Sequence, residues 1–299
     1  MKKQITAQIE ESCKSCEFNS EKIELSLFPP RVIFDDVHFI TGDAKSTLVD
    51  AQVERFILFI SIHQLMSHLL KFKQVVIVNP VVTVTEGDLK GSRSKGDSSP
   101  SEWDLEMDHV ELKNGQFTYK REHLGKTGVL QIGNINGEIG EFSSTDLRRD
   151  ELVTAHTTAI LEQSGKIDLT IAALLFSKAI HVDISLALNG LVLDETNRYF
   201  SPDDGIKLDG KILRAQSQSS IRGRGLHSKV SVDYEGLSLK FQKTSERSEL
   251  GAVFSTLFSG VKSTKDRSRI ANSERKPDEP LVGFILRGMK EAALKVATD

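Results

Sequence analysis

The sequence predicts a mainly β protein with a few helices (α+β), built on a long antiparallel curved sheet that forms an apolar groove. Apolar and polar residues alternate with a period of two in many segments, as they do in strands with one wet face. Asn-Gly and similar pairs recur between those segments, and such pairs tolerate the positive φ of tight hairpins. The alternating helices of a doubly wound fold are missing from the pattern.

The composition is that of an ordinary globular protein, with 299 residues of which 38% are hydrophobic and 27% charged. A formal net charge of -3 gives no overall attraction to nucleic acid, and one Trp and three Tyr leave few rings for stacking bases or sugars. The best apolar run, residues 56–70, is interrupted by polar residues and is too short to cross a bilayer. The first residues, MKKQITAQIEES, contain no apolar signal-peptide core. We therefore expect a soluble chain that does not bind nucleic acid.

The first two predicted strands lie on either side of a proline pair. Leu25 and Leu27 point to one face while the polar residues beside them point to the other. Val32 and Phe34 repeat this pattern in the next strand. Pro29-Pro30 fixes φ and lacks two N–H donors, which predicts a turn or a bulge between the strands.

A short helix is predicted near residues 62–70, at the end of the run FILFISIHQLMSHLL. The following strand segment, KFKQVVIVNPVVTVTEGD, is interrupted at Pro80 for the same physical reason as at the first proline pair. Residues 87–102 are polar and rich in Gly and Ser, so we expect a flexible loop there.

An antiparallel meander is predicted for the middle of the chain, with a hairpin turn at each Asn-Gly-like pair. The pairs are Asn114-Gly115, Asn136-Gly137, Asn189-Gly190, Asp209-Gly210 and Glu235-Gly236. The predicted strands are Val110–Lys113, Gln116–Arg121, Gly128–Ile135, His156–Gln163, Lys166–Ala172, Ala179–Leu188, Leu191–Asp194, Ile206–Arg214 and Lys229–Gln242. Alternation is clearest in two sets of residues, which are Ile167, Leu169 and Ile171, and Val182, Ile184 and Leu186.

The C-terminal region is predicted to hold two amphipathic helices separated by a charged loop. Residues 249–261 carry an apolar stripe at helical spacing, and residues 280–298 carry a second stripe opposite three basic residues. Residues 262–280 are charged and show no periodicity. The predicted domains are an N-terminal β/α segment (1–86), the flexible loop (87–102), a β-groove that continues the same sheet (103–244) and the C-terminal helices with their loop (245–299).

No catalytic constellation is visible in the sequence. The glycine that would make Gly125-Lys126-Thr127 part of a phosphate loop is replaced by Lys120, and no G-x-S-x-G elbow is present. The carboxylate pairs Asp35-Asp36 and Asp203-Asp204 stand next to turn-like sequence, and adjacent acids on a strand point to opposite faces. We expect no enzymatic activity, no cofactor and no metal site.

Two small motifs leave alternatives open. Cys13 and Cys16 form a single C-x-x-C, which fits half of a zinc site, a local disulfide or two unpaired thiols. Arg222 and Arg224 fit either a site for a phosphate or lipid head group, or a solvated loop between strands.

The apolar side of the predicted strands requires a cover. About 25 inward side chains would cost about 1.5 to 3 kcal/mol each if they stayed wet, whereas a whole domain is stable by only about 5 to 15 kcal/mol. The predicted helices are too short to cover a sheet of this length. The sheet must therefore fold on itself as a sandwich or barrel, or curl into a trough whose floor is covered by a ligand.

The N-terminal signature resembles that of the AsmA-like family of bacterial cell-envelope proteins. The residues that carry the resemblance are IELSLFPPRVIFDDVHF from Ile23 and KFKQVVIVNPVVTVTEGD up to Asp88, with looser support from WDLEMDHVELKNGQFTYK and from the Tyr-x-x-Leu-x-Leu strand at Tyr234. The resemblance implies membership of a repeating β-groove group that shelters lipid acyl chains in a hydrophobic channel. It also implies the periplasmic side of the inner membrane, with an N-terminal anchor that the residues printed before Ile23 do not contain.

We expect a non-enzymatic cell-envelope protein whose groove binds acyl chains and contributes to phospholipid transport or outer-membrane maintenance. Its expected partners are a phospholipid or other acyl ligand and a membrane surface. The groove candidates are Leu25, Leu27, Val32, Phe34, Ile167, Leu169, Ile171, Val182, Ile184 and Leu186, and the membrane-contact candidates are Arg287, Lys290 and Lys295. The alternative is a protein-interaction or assembly scaffold whose β core is filled by its own side chains, without a lipid ligand.

Overall fold

The computed structural model describes residues 16–43, 47–61, 69–86, 104–123, 125–145, 151–175, 180–241 and 267–275. These residues are mostly strand, with one short α-helix, which confirms the expected mainly β fold class. The chain divides into two compact units. Unit 1 comprises residues 1–125 and 131–153, and unit 2 comprises residues 126–130 and 154–299.

Unit 1 is built from strands that hydrogen-bond in the order β1-β2-β3-β4-β6-β7, with β5 beside β4 and β8 beside β5. The strands are β1 (Cys16–Leu27), β2 (Pro30–Asp43), β3 (Thr47–Ile60), β4 (Leu69–Glu86), β5 (Asp104–Met107), β6 (Val110–His123), β7 (Lys126–Ile139) and β8 (Phe142–Ser143). The first five residues of β7 belong to unit 2. The pairs β1–β2, β2–β3 and β3–β4 are antiparallel, as expected.

The pairing of β4 departs from the predicted meander. Val75 of β4 lies beside Val110 of β6 and Glu86 lies beside Arg121, so these two strands run parallel. β5 also pairs with β4 in parallel, from Leu69 beside Asp104. Parallel neighbours cannot be joined by a hairpin, so a longer crossover connection is required between β4 and the strands that follow.

Unit 2 contains strands in the order β9-β10-β11-β12-β13-β14 and one helical region. Its elements are β9 (Val153–Leu161, of which Val153 is assigned to unit 1), β10 (Gly165–Ala173), β11 (His181–Val192), a 3-10 turn (Leu193–Thr196), α1 (Asn197–Asp204), β12 (Ile206–Arg222), β13 (Gly225–Phe241) and β14 (Arg267–Glu274). The strands from β10 to β14 pair antiparallel with their neighbours.

The predicted hairpin turns at the Asn-Gly-like pairs are wrong. All five pairs lie inside strands, in β6, β7, β11, β12 and β13. A positive φ is present at four residues of these pairs, which are Asn114, Gly190, Gly210 and Gly236. The cross-strand pairing omits each of them, but the strand continues after it. A β-bulge needs the same left-handed residue as a tight turn, so the local sequence is alike in both cases.

Left-handed residues of unit 1 fall in a row across β2, β4 and β6. Asp36, Asn79 and Asn114 each have a φ near +50° and are each skipped by the pairing register. The Asn114 side-chain amide donates to Asn79 Oδ1 at 2.9 Å, and the Asn79 amide donates to Glu54. We call Asp36, Asn79 and Asn114 the left-handed row, because the register is the same on both sides of it and no strand gains a residue there. Pro80 follows directly after Asn79, so the irregularity expected at this proline is a left-handed residue within a continuous β4, not a break.

Several other elements differ from the prediction. The proline pair does stand at a turn, since β1 ends at Leu27 and β2 begins at Pro30, but β2 then continues through Asp35-Asp36 to Asp43. The whole of β3 was missed. The helix predicted near 62–70 is wrong at Leu69 and Leu70, which belong to β4, while residues 62–68 lie outside the described part of the chain.

Within the C-terminal segments the structure describes one element, and this element differs from the prediction. β14 (Arg267–Glu274) lies within the segment predicted to be a structureless charged loop, and it pairs with β13 from Gly225 to Val232. The flexible loop at 87–102 and the helices at 249–261 and 280–298 lie outside the described residues.

The core of unit 2 surrounds its helical region. Side chains from the 3-10 turn, α1, β11, β12 and β13 are almost fully buried, and they are Leu191, Leu193, Tyr199, Phe200, Ile206, Leu208, Ile212 and Tyr234. Gly205 ends α1 in the left-handed conformation, and its N–H donates to the Phe200 carbonyl. A Cβ on Gly128 would stand 2.6 Å from the Tyr199 carbonyl oxygen, so this close approach of β7 to α1 requires glycine.

Candidate apolar binding surface

One face of the sheet in unit 1 is apolar across five neighbouring strands. Residues that are direct cross-strand partners lie on the same side of a sheet, so the register identifies the members of the face on each side of the left-handed row. The contact between the rings of Phe18 and Phe34 joins the two halves. We call the following set the apolar face of unit 1. Its members are Phe18, Ile23, Leu25, Leu27, Val32, Phe34, Val37, Phe39, Val53, Phe56, Leu58, Val75, Ile77, Val82, Leu112 and Phe117.

The four groove candidates of the N-terminal region belong to this face. Leu25 pairs directly with Val32, and Val32 pairs on its other side with Leu58. Phe34 stands between Ile23 and Phe56. Leu27 pairs with Pro30 at the end of the hairpin. The structure therefore brings together the residues that the period-two alternation assigned to one face.

Aromatic rings contact one another along the apolar face. The rings of Phe18 and Phe34 have centroids 6.5 Å apart with planes at 78°, and those of Phe34 and Phe56 have centroids 6.1 Å apart at 53°. Both distances lie in the range of favourable aromatic pairs, and the first is an edge-to-face arrangement. Phe34 is thus the centre of a three-ring cluster that spans β1, β2 and β3.

The apolar face of unit 1 is not buried as a core would be. Val75, with 3% of its surface exposed, is buried, but most other members are half-buried, and Leu25 and Leu27 are 58% and 60% exposed. None of the members carries a charge. Gly115, next to the left-handed row, leaves space for neighbouring side chains, since a Cβ there would stand 3.1 Å from Leu112 Cδ2 and 3.2 Å from Pro80 Cγ.

The opposite face of unit 1, which we call the polar face, carries charged side chains beside an apolar row formed by Ile33, Ile57 and Val76. Arg55 Nε donates to Asp35 Oδ1 at 2.8 Å, and His38 Nε2 lies 2.9 Å from Asp50 Oδ1. An open cleft of about 350 Å³ on this face is lined by Glu21, Lys22, Asp35, Asp36, Glu54 and Arg55. Asp35, a member of the first carboxylate pair, is therefore an ion-pair partner of Arg55.

A second apolar set occupies one face of β10 and β11 in unit 2. Leu169 pairs with Leu186, Ile171 pairs with Ile184, and Ala173 pairs with Val182. Ile167 pairs with Leu188 and extends the same face. All six groove candidates of this region thus share one face, and all are half-buried.

The next strands continue this face with buried hydroxyl groups. Ile184 pairs with Ser219 and Leu186 pairs with Ser217, while Ser219 pairs in turn with Ser228. These three serines are at most 6% exposed. The Ser219 and Ser228 hydroxyls are 2.7 Å apart and those of Ser217 and Ser219 are 3.4 Å apart, so the buried hydroxyls satisfy one another.

The carboxylates of Glu106, Asp108 and Glu141 lie within 4.8 Å of one another in unit 1. Lys71 Nζ stands 2.5 Å from Glu106 Oε1 and 3.1 Å from Asp108 Oδ1. The hydrogen bond to Glu106 is the largest of the contacts that raise the pKa of Lys71 above its usual value, and burial opposes it. The ammonium group thus supplies a cation to this acidic cluster.

The arginines of the Arg222–Arg224 motif are hydrogen-bonded, and one cysteine of the C-x-x-C motif is described. Arg222 Nη2 donates to both carboxylate oxygens of Asp183, at 2.8 and 2.9 Å, and Arg224 Nη2 donates to the Arg275 carbonyl at 3.0 Å. These contacts favour the solvated-loop interpretation over a phosphate site. Cys16 is disulfide-bonded, and the chain has one other cysteine, Cys13, which lies outside the described residues.

The predicted membrane-contact residues Arg287, Lys290 and Lys295 lie outside the described part of the chain. Within the described ranges, no helix is long and apolar enough to cross a membrane. No protein-family model matches the chain, and no curated protein matches it.

Sequence reasoning missed the contribution of β3 and β6 to the apolar face. Val53 and Phe56 pair with Val37 and Phe34, which lie on either side of the left-handed Asp36, so no single alternation runs through β3. Each half of β3 alternates correctly when it is considered alone. In β6 the Asn-Gly pair gave a turn signal at the point where the face continues from Leu112 to Phe117.

Proposed function

We propose that this chain is a non-enzymatic cell-envelope protein whose apolar sheet face binds lipid acyl chains, in phospholipid transport or in outer-membrane maintenance. The resemblance to the AsmA-like family supplies the class of function and the periplasmic location. The apolar face of unit 1 supplies the surface on which an acyl chain would lie.

A half-exposed apolar face is the observation that carries this proposal. Five neighbouring strands present uncharged side chains on one side, and rows of strands at a spacing of about 4.8 Å make this surface about 20 Å wide. Contiguous exposed apolar surface on a protein marks a binding site or an interface. An acyl chain needs no directional contact, since burial of apolar area alone favours its binding.

The two faces of β2 can be tested separately, because the proposal concerns only one of them. Ile33 is next to Phe34 in β2 but points to the other face, where it pairs with Glu24 and Ile57. Both residues are half-buried. A charge introduced at either position therefore tests one face against the other on the same strand.

The test is native mass spectrometry of the purified protein, with Phe34→Glu compared with Ile33→Glu. We expect lipid to co-purify with the wild type and with Ile33→Glu, and to fall by about tenfold or more in Phe34→Glu, because a carboxylate on the apolar face must lose its hydration under an acyl chain. Circular dichroism should show both variants folded. A wild type that carries no lipid, or equal loss in the two variants, would contradict acyl binding on this face.

A scaffold with a self-filled core is the second candidate, and the buried cluster of unit 2 favours it for that unit. Leu191, Ile206 and Leu208 are fully buried by the chain itself, and the serines beside Ile184 are also buried. Ile184→Glu distinguishes the two functions. An acyl-binding surface predicts a folded protein with less bound lipid, whereas a closed core predicts unfolding or aggregation.

A further inference from the structure

We infer that the tip of the β1–β2 hairpin inserts into the surface of a lipid bilayer. The hairpin tip is defined as residues Leu25–Pro30. This inference goes beyond acyl binding on the sheet face, because it assigns a point of membrane contact centred on Phe28, which is not a member of that face, and does not require any lipid to be bound elsewhere.

Exposure singles out the hairpin tip within the described part of the chain. Phe28 is 93% exposed, Leu27 is 60% exposed and Leu25 is 58% exposed. These are the three highest values among the exposed large apolar side chains, and all three fall within four residues. Isolated apolar residues on a surface are ordinary, but a cluster of the most exposed ones indicates an interaction site.

The chemistry of the hairpin tip favours lipid over a protein partner. The six residues LSLFPP carry no charge, and Pro29 and Pro30 have no N–H group. A turn entering the bilayer surface must leave few unsatisfied donors, because the apolar phase offers no hydrogen-bond acceptors. A protein interface, by contrast, combines an apolar centre with a hydrogen-bonding polar rim.

The hairpin tip is continuous with the apolar face of unit 1. Leu27 pairs with Pro30 and Leu25 pairs with Val32, which is itself a neighbour of Leu58. Charged residues begin immediately outside the tip, at Glu24 and Arg31. The uncharged segment is therefore short, and its depth in a bilayer is limited to the interface between head groups and acyl chains.

The test is flotation of the full chain with vesicles of neutral phosphatidylcholine. We expect Phe28→Ser to weaken vesicle binding by about tenfold or more, since a Phe side chain contributes this much when it leaves water. The matched control is Leu213→Ser, which alters an apolar residue that is 45% exposed on β12 and should leave binding unchanged. Binding through the hairpin tip should also persist at high salt, because it involves no charge.

A spectroscopic variant keeps the inference testable if Phe28→Ser folds poorly. In a Trp103→Phe background, Phe28→Trp places the single indole at the hairpin tip, and its emission should shift to the blue on addition of vesicles and be quenched by brominated acyl chains. Three outcomes would overturn the inference: no vesicle binding by the wild type, equal binding by Phe28→Ser, or a Phe28-dependent dimer in sedimentation without vesicle binding. Loss of co-purified lipid alone would bear on the sheet face and not on the hairpin tip.

Discussion

Lys71 pairs with two neighbouring carboxylates of unit 1, those of Glu106 and Asp108. Its side chain is 20% exposed and the Glu106 side chain is 15% exposed, so this ion pair is less screened than the pairs on the polar face. Without the ammonium group, Glu106 and Asp108 would repel each other. Lys71 therefore places one positive charge at the point where β4 pairs with β5.

Replacing Lys71 by Met should lower the free energy of unfolding by about 1 kcal/mol, with allowance for the solvent that still reaches the pair. Urea denaturation measures this value. Lys113→Met is the matched control, because Lys113 pairs with Glu111 at 3.1 Å but is 50% exposed. If the two variants lose equal stability, Lys71 has no special role.

The effect of Lys71 should depend on pH in the alkaline range. Its pKa is raised in the folded state, so its contribution is fully present below the ordinary value of 10.5 and is lost as the pH rises through the raised value. The difference in stability between wild type and Lys71→Met should therefore shrink above pH 10.5. A difference that grows with pH would show that the ion pair is not its source.

At the residue scale, the faces of individual side chains could be predicted from the sequence. Leu25 with Val32 and Leu169 with Leu186 were assigned to common faces, and the register pairs them directly. Alternation is a local property with a period of two, so it survives wherever the strand is regular. It fails at the left-handed row, because Phe18, whose partner Phe39 lies beyond Asp36, contacts Phe34 on the near side of it.

Elements were harder to predict, because turns and bulges use the same residues. A positive φ at Asn114 is compatible with a hairpin or with a continuous strand, and only the pairing with the neighbouring strand decides between them. α1 was missed since it has eight residues and contains Pro202, which leaves no helical periodicity to detect. β14 was missed because its pairing with β13 outweighs the polar composition of Arg267–Glu274.

Within unit 2, Asn197 fastens α1 to β12. Its side-chain oxygen accepts from the Leu208 N–H at 2.7 Å, and its amide donates to the Leu208 carbonyl at 2.8 Å. Asn197→Ala would leave both backbone groups of a fully buried residue without these bonds, so we expect a loss of about 1 to 3 kcal/mol in the free energy of unfolding.

Urea denaturation of Asn197→Ala and Gln216→Ala provides the comparison for this helix. Gln216 is an exposed residue of β12, and its truncation should change stability by less than about 0.5 kcal/mol. A loss in Asn197→Ala no larger than in Gln216→Ala would mean that α1 is held by the burial of Tyr199 and Phe200 alone.

At the scale of the whole molecule, the need to cover an apolar sheet was predicted, but the manner of covering was not. Unit 2 buries a cluster around Leu193 and Phe200, whereas unit 1 leaves Leu25 and Leu27 more than half exposed. The alternating pattern is the same in both units. Covering depends on which distant segments pack over a face, and a pattern with a period of two contains no information about them.

The direction of β4 relative to β6 sets a minimum length for the chain between them. Glu86 ends β4, yet Asp104 lies beside Leu69 at the other end of that strand, about 55 Å away at about 3.3 Å per residue. The connecting residues, 87–103, reach at most about 60 Å when fully extended. Their Gly- and Ser-rich composition is typical of a linker that tolerates any change in length, whereas the separation of the two ends leaves only about 5 Å to spare.

Shortening and lengthening this connection should therefore have unequal effects. Deletion of six residues within 87–103 removes about 20 Å of reach, so the parallel pairing of β4 with β6 should be lost and the protein should become sensitive to protease. Insertion of six Gly and Ser residues should be tolerated, because the entropy of closing a loop rises slowly with its length. Equal tolerance of both changes would contradict this limit. Unequal effects would mean that the number of residues in this connection matters more than their identity.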